Sequence, residues 1–236
     1  MGRRDGPGGL ILAPDDAVNI VNSESVFTHA RRSQARADRA WKRALDLAIG
    51  GPLLVAALPT LILAAFVIAL TEGGTVIFWQ KRVGQAGREF WFPKLRSMYI
   101  GAEDLQDALR DQNDHGESIT FKMRQDPRVT RIGKLLRMLS IDELPQLWCV
   151  LTGTMSLVGP RPPVPGEVLQ YTPKQRRRLD VKPGITGLWQ VSGRSTIPFD
   201  RQIALDLEYI DRQSLACDLW ILARTARAVL SCKGAW

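Results

Sequence analysis

From Ala44 to Leu70 the chain is almost wholly apolar, interrupted only by Asp46, glycines, Pro52, Pro59 and Thr60. At about 1.5 Å per helical residue, such a run is long enough to cross a hydrocarbon core of about 30 Å. Its flanks conflict with a plain spanning helix. Arg31, Arg32, Arg36, Arg39, Lys42 and Arg43 precede it, and Lys81, Arg82, Arg88, Lys94 and Arg96 follow. Because Lys and Arg near membrane ends favour the cytoplasmic side, a spanning helix would put one cluster on the wrong face. Pro59 lies near the middle, where a missing N–H and a ring clash kink or break a helix. Together these features predict a re-entrant helix that bends at Pro59 and returns to the face it entered, its backbone at the bend satisfied locally or covered by protein.

The 236 residues are enough for one good-sized domain or for a modest domain with appendages. Residues 1–36 mix Gly, Pro, Asp, Ser and Arg around brief apolar runs with no sustained period, which predicts a flexible tail. The apolar stretch near its start is too short for a secretory signal. The membrane helix is assigned to 37–72 and a larger domain to 73–236. A formal charge of +8 calls for anionic partners: nucleic acid, anionic lipid or phosphorylated small molecules. Cys149, Cys217 and Cys232 are widely spaced, which indicates neither a zinc site nor a disulfide framework and fits a reducing compartment. The two histidines, His29 and His115, lie in polar surroundings, so acid–base or nucleophilic work falls to other side chains.

Within 73–236, Thr75–Gln80 (TVIFWQ) reads as a short strand, and Phe90-Trp91-Phe92 with Trp79 as an aromatic cluster suited to a headgroup belt or to a core. Gly101–Arg110 reads as a surface helix. Ile132, Leu135, Leu136 and Leu139 recur at helical spacing among Arg131, Lys134 and Arg137, the pattern of an amphipathic basic helix on an anionic bilayer or of a plain surface helix. Gln175–Arg178 (QRRR) reads as a solvated charge run. Helices over about Asp200–Arg212 and Leu215–Leu230 close the chain.

Chemistry gathers in Leu139–Pro165. Asp142 and Glu143 stand side by side at a predicted helix start, followed by the loop Gly159-Pro160-Arg161-Pro162, a composition suited to gripping phosphate. Ser140 and Glu143 match a capping box, but Pro145 fits better if Asp142 itself is the cap. In the first turn the helix dipole would keep Asp142 ionised, as nucleophile or metal ligand. A carboxylate attacking phosphorus gives an acyl phosphate and needs Mg²⁺ and Arg or Lys to neutralise the phosphoryl oxygens. Arg161, Arg194, Lys94, Arg96 and Arg137 are the candidates. Lys182–Gly187 and Ser192-Gly193-Arg194 read as glycine loops whose N–H groups approach a ligand. From residue types alone, a helix cap and a nucleophile both remain open.

From about Lys42 to its C-terminus the chain resembles the bacterial sugar transferases, the monotopic phosphoglycosyl transferases. The resemblance rests on Lys42-Arg43 with Asp46, Gln80-Lys81-Arg82-Val83-Gly84, Lys94-Leu95-Arg96-Ser97-Met98, Asp142-Glu143-Leu144-Pro145-Gln146, Met155–Pro162 (MSLVGPRP) and Pro183–Gly187 (PGITG). It implies an α+β, mainly helical, membrane-associated catalytic domain with a kinked re-entrant helix and amphipathic surface helices, on the cytoplasmic face of a bacterial inner membrane. It further implies Asp142 as nucleophile, Glu143 as its partner, and Mg²⁺ held by Asp142 and Glu143. The implied substrates are a UDP-sugar, attacked at its β-phosphorus with loss of UMP, and undecaprenyl phosphate, which takes the phosphosugar as the first step of surface-glycan or exopolysaccharide assembly. Arg161 and Arg194 match motif arginines.

Leu58 stands where the family often has Ser, Leu95 where it has Phe, Cys149 where it has Asn and Thr154 where it has Asp, all away from the dyad. The tail is expected to lack the multiple spans of larger relatives. Basic charge and an apolar segment alone would also suit a non-catalytic membrane-surface scaffold. No recognition helix or zinc finger supports a nucleic-acid partner.

Overall fold

The computed structural model describes residues 14–114, 116 and 118–230, with side chains from Ala40 on, Ser195 excepted. For residues 1–13 the expected flexible tail lies outside the described residues, as does His115. The chain divides into two units, Met1–Trp41 and Lys42–Trp236. The backbone is helical from Pro14, in a stretch where the sequence sustains no helical period; this helix, α1, spans Pro14–Glu72 and is continuous through Pro52 and Pro59. Its stretch from Ala40 to Glu72 is long and apolar enough to cross a membrane, and little of that surface is covered by the rest of the chain. Val55, Ile62, Leu63 and Phe66 are exposed.

Within the second unit both ends of the 42–72 stretch of α1 are tied to the same body. At the start, Lys42 Nζ meets Asp218 Oδ2 at 2.6 Å and Tyr209 Oη at 3.0 Å. Arg43 donates to the carbonyls of Val150 and Leu151. Buried Asp46 accepts from Ser156 Oγ (2.8 Å) and the Leu157 N–H (2.9 Å). At the far end, Arg96 donates to the Gly73 carbonyl and faces Glu72. Ala64 and Ile68 pack against Leu95 and Leu136. The charges at the start are closely paired, Lys42 with Asp218, the condition under which burial is tolerated; at the far end Arg96 and Glu72 stand 3.9 Å apart, and Arg96 Nη1 and Glu72 Oε2 have no hydrogen bond among the described residues.

Strands β1 (Ile77–Val83) and β2 (Glu89–Leu95) form an antiparallel hairpin with Gln80 opposite Phe92. The period of two resolves the aromatic cluster: Phe92 is fully buried in the main core with Leu147, Val150, Met155, Tyr209 and Ile221, while Trp79 and Trp91 are exposed. Helix α2 (Arg131–Met138) starts at Thr130, whose hydroxyl accepts from the Gly133 N–H at 2.8 Å. Its expected stripe splits: Ile132 and Leu136 face the cluster at the end of α1, and Leu135 and Leu139 stay exposed. Where a helix was expected over Gly101–Arg110, the chain makes turns and then a 3-10 segment, Asp107–Gln112. Gly101 is left-handed there and Leu105 is exposed, so no apolar stripe is buried to hold an α-helix.

After a 3-10 turn, Ile141–Gln146, come α3 (Leu147–Thr152) and β3 (Ser156–Val158), then α4 (Pro165–Leu169), α5 (Pro173–Arg176), β4 (Gly184–Thr186), α6 (Leu188–Ser192), α7 (Phe199–Asp211) and α8 (Leu215–Leu230). β3 and β4 pair in parallel, Ser156 opposite Gly184. The two closing helices match the sequence expectation to within a residue. On α8, Ile221 and Asp218 are buried, the latter because Lys42 and Tyr209 claim it, whereas Leu215 and Leu219 are exposed.

Candidate active site

The dyad sits where α2 breaks. Ser140 is left-handed (φ 57°) and its side chain caps nothing, so the expected capping box is absent. The turn that follows is 3-10, with Asp142 and Glu143 at its start. Asp142 is buried, lines a cavity of about 700 Å³, and takes part in no ion pair among the described residues. Glu143 is the anchored member: Arg161 Nη1 donates to its Oε1 at 2.9 Å, and Lys94 Nζ lies 3.6 Å from the same atom.

This asymmetry separates the two carboxyls. Burial, and next the charge of Glu143, push Asp142 above the ordinary carboxylate range, against the pull of Lys94, Arg137 and Arg161. Glu143 is also buried, but Arg161 and Lys94 outweigh the burial and hold it below its ordinary value. The helix dipole expected from sequence to keep Asp142 ionised does not set its charge: the short turn supplies little dipole, and burial with the charge of Glu143 outweighs the neighbouring cations.

Four of the expected cations converge. Lys94 comes from β2, Arg137 from α2, Arg161 from the loop after β3, and Arg194 from the 3-10 turn after α6; all four line the cavity with the dyad. Arg137 Nε donates to Ser97 Oγ at 2.9 Å. Arg96 does not join them, being committed to Glu72 and Gly73 at the end of α1. Its nearness in sequence to Lys94 misleads because β2 ends at Leu95 and the chain turns away.

The glycine loops also work differently from the expectation. A Cβ on Gly159 would lie 2.5 Å from the Lys182 carbonyl oxygen, and one on Gly184 would lie 2.0 Å from the Gly159 nitrogen. Their N–H groups are already used: Gly159 donates to Thr186 O at 2.9 Å and Gly184 to Pro160 O at 2.9 Å. These glycines let two chain segments touch; they do not offer amides to a phosphate. What the loop presents is the Arg161 guanidinium. Its backbone is held from behind by Arg178, which donates to the Arg161 carbonyl (3.2 Å), to Asp206 (2.8 Å) and to Tyr171 Oη (2.6 Å). The QRRR run is therefore not wholly solvated: Arg178 is a buried strut.

Two residues were not singled out from sequence. Lys122 lines the same cavity, and burial with Arg161 nearby lowers its ammonium to about 8. Trp189 is buried and lines it too, and its indole N–H has no partner among the described residues. Phe121 and Met123 flanking Lys122 were the available hint, since an ammonium between apolar neighbours is drawn inward. A smaller cavity of about 210 Å³ shares Lys94, Lys122, Arg137 and Arg161 and adds Arg82 and Arg178. These cations therefore line both spaces.

Among the described residues no cluster of three or more metal-ligating side chains occurs. Mg²⁺ binds through one or two carboxylates plus substrate phosphates and water. Asp142, outside any ion pair and facing the cavity, with Glu143 beside it, fits that limited donor set.

A family model described as bacterial sugar transferase matches residues 37–232. The galactosyl transferase CpsE of Streptococcus agalactiae is 44% identical over 223 residues, covering 92% of this chain and 48% of that protein. The exopolysaccharide production protein ExoY of Rhizobium meliloti is 37% identical over 198 residues, covering 83% and 88%. The undecaprenyl-phosphate glucose phosphotransferase of Komagataeibacter xylinus is 42% identical over 217 residues, covering 87% and 39%. The chain thus spans about half the length of several relatives and most of the length of ExoY.

Proposed function

Because the chain belongs to the bacterial sugar transferase family, we propose that it transfers a sugar 1-phosphate from a UDP-sugar to undecaprenyl phosphate and releases UMP. The observation that carries this reading is the cavity that gathers Asp142, in no ion pair among the described residues, with Lys94, Lys122, Arg137 and Arg161. The printed names of relatives, a UDP-galactose-lipid carrier transferase and undecaprenyl-phosphate phosphotransferases for galactose and glucose, support the substrate classes. The names of the ExoY relatives support a role in exopolysaccharide assembly.

In this reading a carboxylate oxygen of Asp142 attacks the β-phosphorus, and the bond to the bridging oxygen breaks so that UMP carries that oxygen away. The sugar phosphate is left on Asp142 as an acyl phosphate. A phosphate oxygen of the lipid then attacks the same phosphorus, the Asp142–phosphorus bond breaks, and the carboxylate is restored. Lys94, Lys122, Arg137 and Arg161 neutralise the phosphoryl oxygens, and Arg194 adds charge at the cavity wall. Glu143 holds Arg161 and Lys94 in position. Mg²⁺ would be held by Asp142 and Glu143 and would add charge neutralisation at the phosphates. Purified protein given Mg²⁺, undecaprenyl phosphate and a panel of UDP-sugars should release UMP with at least one of them. Silence across the panel would end the proposal.

Lys122 gives the reaction a pH signature. Its ammonium, lowered to about 8 in the folded chain, is protonated below that pH and neutral above it. Lys94 in the same cavity is lowered to about 7 by burial and by Arg161, so the kcat/KM for the UDP-sugar, which reports the free enzyme, should fall in two steps as pH rises through about 7 and then about 8. Lys122→Arg, which stays protonated, should move the second step upward and leave the first in place. An unchanged alkaline limb would remove Lys122 from substrate binding.

The membrane segment is read as re-entrant, with both ends on the cytoplasmic face of the inner membrane. Charge on both flanks and the anchoring of both ends of 42–72 to the same body support this. Single cysteines at Asp38 and Arg88 should react with an impermeant reagent from the same side. Labelling from opposite sides would establish a spanning helix instead.

A further inference from the structure

The cavity that holds the dyad has a second character. Beyond its cations it is lined by Ile49 and Leu53 of α1 and by Leu222 and Ala226 of α8, with Leu147 and Leu157 at its floor. Thr225, the polar side chain on this wall of α8, is satisfied within the protein: its hydroxyl is 2.7 Å from the Thr186 hydroxyl and donates to Ile221 O at 2.8 Å. The wall is therefore apolar in effect. A single cavity with clustered cations and an apolar wall matches an amphiphile with an anionic head and a hydrocarbon tail. The wall also starts on the helix whose exposed Val55, Ile62 and Phe66 continue the apolar surface.

Resting on the reading that the acceptor is a polyprenyl phosphate, we propose that the first isoprene units of its tail lie between α1 and α8, against Leu53 and Ala226, with the phosphate at the cations beside Asp142. The volume of about 700 Å³ lies within the ordinary range for ligand sites of roughly 300–1,000 Å³, so it takes the head and the near part of the tail and leaves the remainder to the bilayer. In this arrangement α8 is a binding element for the lipid and not only a packing helix.

The two half-reactions separate this proposal from the one it rests on, because UMP is released before the lipid reacts. Ala226 is exposed, so a larger side chain there projects into open space instead of clashing with the core. Ala226→Trp should raise the KM for undecaprenyl phosphate about tenfold and Ala226→Leu by less, while the burst of UMP seen without acceptor keeps its amplitude. Ala223→Trp, on an exposed part of α8 that does not line the cavity, should leave both unchanged. A wild-type KM in both Ala226 variants would overturn the proposal. So would an equal rise in Ala223→Trp, which would assign the effect to general bilayer contact, or a lost burst in Ala226→Leu, which would assign the wall to the nucleotide. Absence of UMP release from the wild-type protein would instead defeat the transferase reading itself.

Discussion

Asp142→Asn is expected to abolish UMP release, with a loss on the order of 10⁴-fold or more, the scale on which removal of a covalent nucleophile acts, and to do so without loss of stability. Asn has nearly the same shape and cannot form the acyl phosphate. The folded chain holds the Asp142 proton at pH values where the unfolded chain has lost it, because burial and Glu143 raise that carboxyl. Wild-type stability therefore falls as pH rises through that window, and the cost is present at pH 7. Asn carries no such cost, so thermal unfolding of the variant at pH 7 should match or exceed wild type, and the difference should shrink as pH approaches the ordinary carboxylate range. Glu143→Gln should behave in the opposite way. Its carboxyl is lowered by Arg161 and Lys94, so its contribution is present above the ordinary glutamate range and lost as pH falls through the folded value. Gln forfeits a charged hydrogen bond of about 2 kcal/mol and leaves Arg161 unpaired. Retained turnover in Asp142→Asn would sink the proposed nucleophile. A large drop in its stability would contradict the charge assignment.

Much of this site could be read in the sequence because its motifs are local. Asp142-Glu143 is two adjacent residues, and Arg161 lies one short helix and one short strand further on. The closing helices and the apolar run were legible for the same reason, since period and length within one segment define them. What could not be read was which partner each residue chooses across long sequence separations. Lys94 and Arg96 are two residues apart on one motif, yet one meets Glu143 and the other meets Glu72 and Gly73. The segments around Gly159 and Gly184 carry the composition of a phosphate cradle, and only the pairing of β3 with β4 reveals that chain-to-chain contact consumes those two amides. The QRRR run looked solvated because nothing local to Arg178 announces Asp206 or Tyr171. Ser140 and Glu143 satisfied the capping pattern by spacing alone, and the left-handed turn at Ser140 overrode it.

Gly184→Ala should be among the most damaging single-methyl additions in the chain. Its backbone conformation is open to any residue, so the cost is steric: the new Cβ would lie 2.0 Å from the Gly159 nitrogen and 2.6 Å from both the Thr186 oxygen and the Val158 carbonyl carbon. All three are backbone atoms of the paired segments, so none can swing aside. Relief requires β3 and β4 to separate, which strains the bonds from Ser156 N to Pro183 O and from Gly159 N to Thr186 O, at 2.8 and 2.9 Å. We expect a loss of about 3 kcal/mol or more, at the upper end of overpacking. The catalytic effect should exceed what the unfolded fraction explains, because Arg161 follows the same segment and reaches Glu143 from it. Measured below the unfolding transition, kcat/KM for the UDP-sugar should still fall. Gly166→Ala in α4, where a Cβ meets nothing within 4 Å, is the matched control and should be neutral or stabilising by up to about 1 kcal/mol. Urea unfolding of the two variants side by side decides the matter, and equal midpoints would mean that the close contact of β3 with β4 does not set the position of Arg161.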